Sequence, residues 1–113
     1  MADFDLNNAQ SQMRKGTLEF LILLVISRGR VYASDILQAL KVSELIVVEG
    51  TLYPLLSRLK LAGLLQYEWQ ESTSGPPRKY YSLTPKGTDI LKELRLTWKN
   101  LNLSVNSLMK ISK

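Results

Sequence analysis

Four side chains between Gly50 and Leu65, in the stretch GTLYPLLSRLKLAGLL, are suited to contacting an anion: Tyr53, Ser57, Arg58 and Lys60, with Pro54 among them. Leu52, Leu55, Leu56 and Leu59 fall at i, i+3, i+4 and i+7, which predicts one apolar stripe on a helix. The remaining side is polar, basic or small and carries no carboxylate. Hydroxyls and cations on such a face can meet phosphates or the edges of guanines. The pattern alone is equally that of a surface helix whose outer face is merely solvated. A second basic pair, Arg78 and Lys79, sits beside Gly75-Pro76-Pro77 and can reach a neighbouring groove or phosphate, although Glu71 weakens the positive field there. Without more context that segment is also an ordinary exposed hairpin. Arg14 and Lys15 could add backbone contacts from the first helix, but a solvated face explains them better.

The composition removes other chemistry. The 113 residues contain no cysteine and no histidine. Disulfides, thiolate metal sites, Ser-His and Cys-His nucleophiles and the usual general base are therefore excluded. Nothing gathers the carboxylates or lysines into a catalytic group, so no enzyme activity, metal or cofactor is expected. A net charge of +5 suits a polyanion or a membrane surface, without choosing between them. The apolar run from Leu18 to Ile26 contains Glu19 and is too short to span a bilayer. Asp3 and Asp5 stand where a signal peptide would need basic residues, so a cytoplasmic location is expected, away from membranes.

The elements that must position these residues read as mostly helical with one small β-hairpin. Asp5 can cap a helix running to Arg28, with Gly29 as its stop. Its second half, LEFLILLVI, is apolar on nearly every side, as in a helix buried from two directions. Ser34 is a plausible cap for a short helix ending near Lys41, with Ile36, Leu37 and Leu40 inward. Glu44 to Val48 can be a short strand or a lead into the next helix. Thr51 is the best available cap there, placing Pro54 in a first turn, and Gly63 can close the helix. Leu65, Tyr67 and Trp69 alternate with polar residues, as in a half-buried strand. Ser72 to Pro77 has a turn composition, and Arg78 to Leu83 returns, with Tyr80 and Tyr81 on opposite faces and one of them in the core. Thr84-Pro85 opens the last helix. Along it, Leu91, Leu94, Trp98, Leu101, Val105 and Leu108 follow at spacings of three and four, a seam that seeks another helix. The expected organisation is a winged helix-turn-helix over residues 1–83 and a C-terminal dimerisation helix over residues 84–113.

GTLYPLLSRLKLAGLL and the later block GPPRKYYSLTPKG (Gly75 to Gly87) resemble, in order and spacing, the recognition helix and wing of the PadR family of bacterial transcriptional regulators. The resemblance implies a DNA-binding regulator acting as a homodimer on double-stranded DNA with a pseudo-palindromic operator. It implies DNA contacts from Tyr53, Pro54, Ser57, Arg58 and Lys60 on the recognition helix, from Gly75, Arg78 and Lys79 on the wing, and from Ser34. The spacing from KYY-LT to Trp98 is similar to that of multidrug-responsive repressors in this family, in which a tryptophan of the last helix lines a pore where flat, cationic or aromatic compounds stack. That implies a repressor released by a planar aromatic effector, with Leu94, Leu18 and Ile22 as candidate walls around Trp98. Trp98 is equally explained as packing at a helix–helix contact. The competing expectation is a winged-helix protein-interaction module without DNA or ligand, which would call for an acidic or apolar outer face on Gly50–Gly63.

Overall fold

The computed structural model describes residues 3–45, 47–72 and 74–111. Four helices and a hairpin follow in the order α1 (Leu6–Ile26), α2 (Ala33–Val42), α3 (Glu49–Leu61), β1 (Leu65–Ser72), β2 (Gly75–Leu83) and α4 (Pro85–Ile111). This is the winged helix fold with a long C-terminal helix.

The capping residues show why the helices start and stop where they do. The Asp5 carboxylate accepts from the Asn8 N–H at 3.0 Å and starts α1, which ends at Ile26, two residues before the expected Arg28. α2 begins one residue before the expected cap: Tyr32 is the N-cap and Ser34 lies in the first turn. The reason is reciprocal bonding from two residues before Ser34: the Tyr32 N–H donates to the Asp35 carboxylate at 2.9 Å, and the Asp35 N–H donates to the Tyr32 carbonyl at 3.1 Å. α2 ends in a Schellman arrangement, with Leu45 N–H bonding the Leu40 carbonyl and Glu44 at φ 65°, a conformation glycine usually supplies. Ile46 lies outside the described residues; of the others, Leu45, Val47 and Val48 are in no strand, and Val48 leads into the next helix.

α3 starts earlier than expected. Val48 is extended and its carbonyl accepts from Thr51 and Leu52, so Val48 rather than Thr51 is the N-cap. Pro54 is therefore an interior helix residue, and it offers no N–H to the Gly50 carbonyl one turn back. The earlier start also brings Glu49 into the first turn, where the helix dipole favours a carboxylate. Leu52, Leu56 and Leu59 are buried and Leu55 half-buried, which confirms the inward stripe. Gly63, at φ 81°, closes α3 with its own Schellman arrangement: Gly63 N–H to the Lys60 carbonyl and Leu64 N–H to the Leu59 carbonyl.

The strands pair antiparallel from Leu65↔Leu83 to Gln70↔Arg78 and again at Ser72↔Gly75. Gly75-Pro76-Pro77 is thus part of β2 and not a free turn. The register slips by one residue opposite Glu71, so the two prolines occupy a bulge on a two-stranded sheet, where a missing donor is tolerated. Val31 adds a bridge to Tyr81, with both N–H···O bonds made, at 3.0 and 2.7 Å.

α4 is fastened to the end of α3. The Thr84 hydroxyl donates to the Gly63 carbonyl at 2.6 Å and accepts from the Gly87 N–H at 3.0 Å, while the Lys86 ammonium bonds the Ala62 carbonyl at 2.9 Å. Thr84 is the expected N-cap. Gly87 packs so closely that a Cβ built there would collide with the Leu64 carbonyl. The core joins Ile22, Ile26, Ile36, Leu52, Leu56 and Leu91 from all four helices with Leu65 and Tyr81 from the sheet. Beyond Leu94, every described residue of α4 is exposed, and the molecule measures 58 × 34 × 25 Å.

Candidate nucleic-acid interface

α3 presents two flanks. Its 3.6-residue period sets Arg58 to one side of the outward face and Tyr53 and Lys60 to the other, with Pro54 and Ser57 between. Tyr53 is 47% exposed, and Pro54, Ser57, Arg58 and Lys60 are exposed as well. Lys60 leans toward the hairpin, its ammonium 5.1 Å from the Tyr67 ring centre. Arg58 leans the other way and meets Glu19 of α1, Nη2 to Oε1 at 3.0 Å.

Between the first turns of α2 and α3 and the hairpin lies a cleft of about 320 Å³. Of the nine expected DNA-contact residues, Ser34, Tyr53, Arg78 and Lys79 line it, whereas Pro54, Ser57, Arg58, Lys60 and Gly75 do not. Tyr32, Glu49 and Trp69 line it too, and sequence reasoning missed all three. The signal for Trp69 was misread. Its alternation predicted a half-buried position, but exposure along β1 rises from 3% at Leu65 to 62% at Trp69. The Lys79 ammonium lies 4.4 Å from the Tyr67 ring centre and 5.2 Å from that of Trp69, so aromatic and cationic groups alternate on this wall. Glu49 supplies a negative charge to the same cleft, so α3 is not free of carboxylates as expected.

Arg78 is held rather than free at a turn. Its guanidinium donates to the Ser34 hydroxyl at 2.6 Å and stacks 3.7 Å from the Tyr32 ring centre. Tyr32 stacks on Tyr80 at 4.0 Å, and Arg30 covers the far face of Tyr80 at 4.8 Å while pairing with Glu68 at 3.2 Å. This column of Arg78, Tyr32, Tyr80 and Arg30 fixes the angle between wing and α2. Hydrogen bonding with the Tyr80 side chain, then desolvation, raises the Tyr32 phenol above the usual tyrosine range. Tyr81, on the opposite face of β2, is the core tyrosine, and burial raises its phenol as well. Gly75 is exposed at the hairpin tip, away from this cleft. Arg14 and Lys15 flank a separate, mostly apolar groove beside the first turn of α3, which Leu18 also lines.

On another side, α1 and α4 form an apolar groove of about 530 Å³ lined by Thr17, Phe20, Leu21, Leu24, Leu45, Arg95 and Trp98. Trp98 is 45% exposed, with its ring 6.4 Å from that of Phe20. Of the other candidate walls, Ile22 is wholly inside the core and faces no groove, Leu18 belongs to the groove beside α3, and Leu94 is half-buried against the core. Sequence reasoning missed Phe20, Leu21 and Leu24 because an all-round apolar helix does not reveal which residues face outward, and it missed Arg95 of α4 as well. Among the seam residues, Leu91 is consumed by the core of its own chain, at 4% exposure, whereas Leu101, Val105 and Leu108 stand 44–65% exposed.

No curated protein matches the chain significantly. Solved structures do. A PadR-like transcription factor from Bacteroides fragilis is 61% identical over 89% of this chain and 98% of its own, with a TM-score of 0.77. A PadR family regulator from Eggerthella lenta is 34% identical over 92% and 91% of the two chains, with a TM-score of 0.84. A PadR-like regulator from Bacillus cereus is 38% identical over 87% and 96%, with a TM-score of 0.77. The sequence profile of the transcriptional regulator PadR-like family matches residues 22–93. No helix among the described residues is long and apolar enough to cross a membrane. Fold, family profile and similarity across nearly the whole chain agree: this chain belongs to the PadR-like family of transcriptional regulators, which are DNA-binding regulators and not enzymes.

Proposed function

We propose that the chain acts as a homodimeric repressor that reads a pseudo-palindromic operator and leaves it when a planar aromatic molecule enters the groove beside Trp98. The observation that supports the dimer is the far half of α4. Past Trp98 the helix keeps Leu101, Val105 and Leu108 exposed on one seam. A 27-residue helix is about 40 Å long, and one that leaves such a stripe in water is built to meet a second helix. A twofold axis along this seam presents two copies of α3 and two wings, matching half-sites about one helical turn apart. Tyr53, Ser57, Arg58, Lys60 and Lys79 then serve the DNA phosphates and base edges, while Arg78 and Ser34 hold the wing.

The same axis brings the partner's copy of Trp98 toward the first. Two indoles, or an indole and the Phe20 wall, can hold a flat ring by stacking. Arg95 on the rim disfavours a cation in this groove, so neutral or anionic rings fit its charge better than the cationic compounds expected from the resemblance. Such a molecule releases DNA only if it prefers a dimer whose recognition helices no longer match the half-sites. A gel-shift titration against the DNA upstream of its own gene tests the reading. A retarded, competitor-resistant complex that a planar aromatic compound dissolves supports it. Absence of any complex would leave the protein-interaction alternative.

A further inference from the structure

On the recognition helix, Arg58 does not wait for DNA unpaired. Its Nη2 lies 3.0 Å from Oε1 of Glu19, which is 39 positions away in sequence and on a different helix. The pair is exposed enough to open: the Arg58 side chain is 69% exposed and that of Glu19 35%. Glu19 follows Leu18 and precedes Phe20, so α1 carries this carboxylate next to a wall of the Trp98 groove. An exposed ion pair of this kind is weak, worth little more than the competition it can lose. A phosphate, which offers a guanidinium two oxygens in a fork, is a better partner than the single contact Glu19 makes.

We propose that Glu19 is a built-in competitor for Arg58: it neutralises the recognition-helix cation in the free protein and must give it up when phosphate arrives, so α1 sets DNA affinity. This rests on the DNA-binding reading above. Releasing Arg58 to DNA frees a DNA counterion but leaves the Glu19 carboxylate to recruit one, so the pair masks part of the salt dependence. Removing the carboxylate unmasks it.

The test compares wild type, Glu19→Gln, Arg58→Gln and the double variant by filter binding to operator DNA and to random duplex over a series of salt concentrations, with thermal unfolding of each. Glu19→Gln is expected to bind operator roughly two- to five-fold more tightly per protomer, the range of an exposed ion pair. Its slope of log K against log salt should steepen by up to about 0.9 per protomer. In the Arg58→Gln background the same change should leave the slope unaltered. An unchanged slope with weaker binding and a lowered unfolding temperature would make Glu19 a brace between α1 and α3, and would overturn the proposal while leaving DNA binding standing. Salt-independent binding, or none, by the wild type would overturn both.

Discussion

Leu101→Asp separates the role of α4 in assembly from its role in the fold. Leu101 retains 52% exposure in the single chain, so its own domain does not depend on it. Fully burying a leucine is worth roughly 1.5–3 kcal/mol, and about half of that is left for a partner to collect. A twofold axis counts the residue twice, giving roughly 1.5–3 kcal/mol per dimer. Aspartate loses that amount and adds the cost of desolvating two carboxylates that face each other across the seam. A total of at least about 3 kcal/mol corresponds to a dimer dissociation constant raised roughly 100-fold or more. The isolated fold should lose no more than about 0.7 kcal/mol, the propensity difference at an exposed helix position. Sedimentation equilibrium gives the association constant, and far-UV circular dichroism checks that α4 remains helical. A folded variant that still dimerises with wild-type affinity would refute the seam as the interface, as would a wild type that stays monomeric at micromolar concentration.

Other expected outcomes bear on the fold and the groove. Gly87→Ala should destabilise by about 2 kcal/mol in chemical denaturation: helix propensity alone favours alanine by up to about 1 kcal/mol, but the Leu64 carbonyl occupies the place of the new methyl, and overpacking of this kind costs about 3 kcal/mol. Tyr81→Phe should flatten the alkaline loss of stability. Burial raises the Tyr81 phenol above its unfolded value near 10, so the stability linked to its proton is complete below that value and drains as pH rises toward the folded value; pH-dependent unfolding between 9 and 12 measures it. Planar aromatic compounds, neutral or anionic ones above all, should quench Trp98 emission in a Trp69→Phe background, and Trp98→Ala should abolish their binding, read by titration calorimetry, without loss of DNA binding.

Local signals in the chain carried much of this architecture. The leucine stripe of α3, the Thr84-Pro85 start of α4, the Asp5 cap and the Gly63 stop were legible because each depends on residues within one or two turns. What escaped depends on partners far apart in sequence. The Val31 bridge exists because Tyr81 arrives from another element, and Tyr32 caps α2 while stacking between Arg78 and Tyr80. Composition puts Pro54 in a first turn behind a Thr51 cap, yet the extended Val48, six residues ahead of the proline, is the cap. The Arg58–Glu19 pair spans two helices with no local motif. For the site, the sequence singled out Arg78 and Lys79 but offered no way to see that Arg78 is occupied, that Glu49 faces the same cleft, or that Ile22 is sealed in the core while Phe20 is not.

The central proposal is that a homodimer of this chain holds DNA through cations on α3 and the wing. Its most direct measurement is the salt dependence of operator binding by wild type and Lys79→Gln, with the stoichiometry determined in the same titration. Two protomers per operator are predicted, with affinity falling steeply as salt rises. Lys79→Gln should make the slope of log K against log salt shallower by about 1.8 per dimer, from about 0.9 for each lost phosphate contact. One protomer per site, or a slope near zero that Lys79→Gln leaves unchanged, would contradict it.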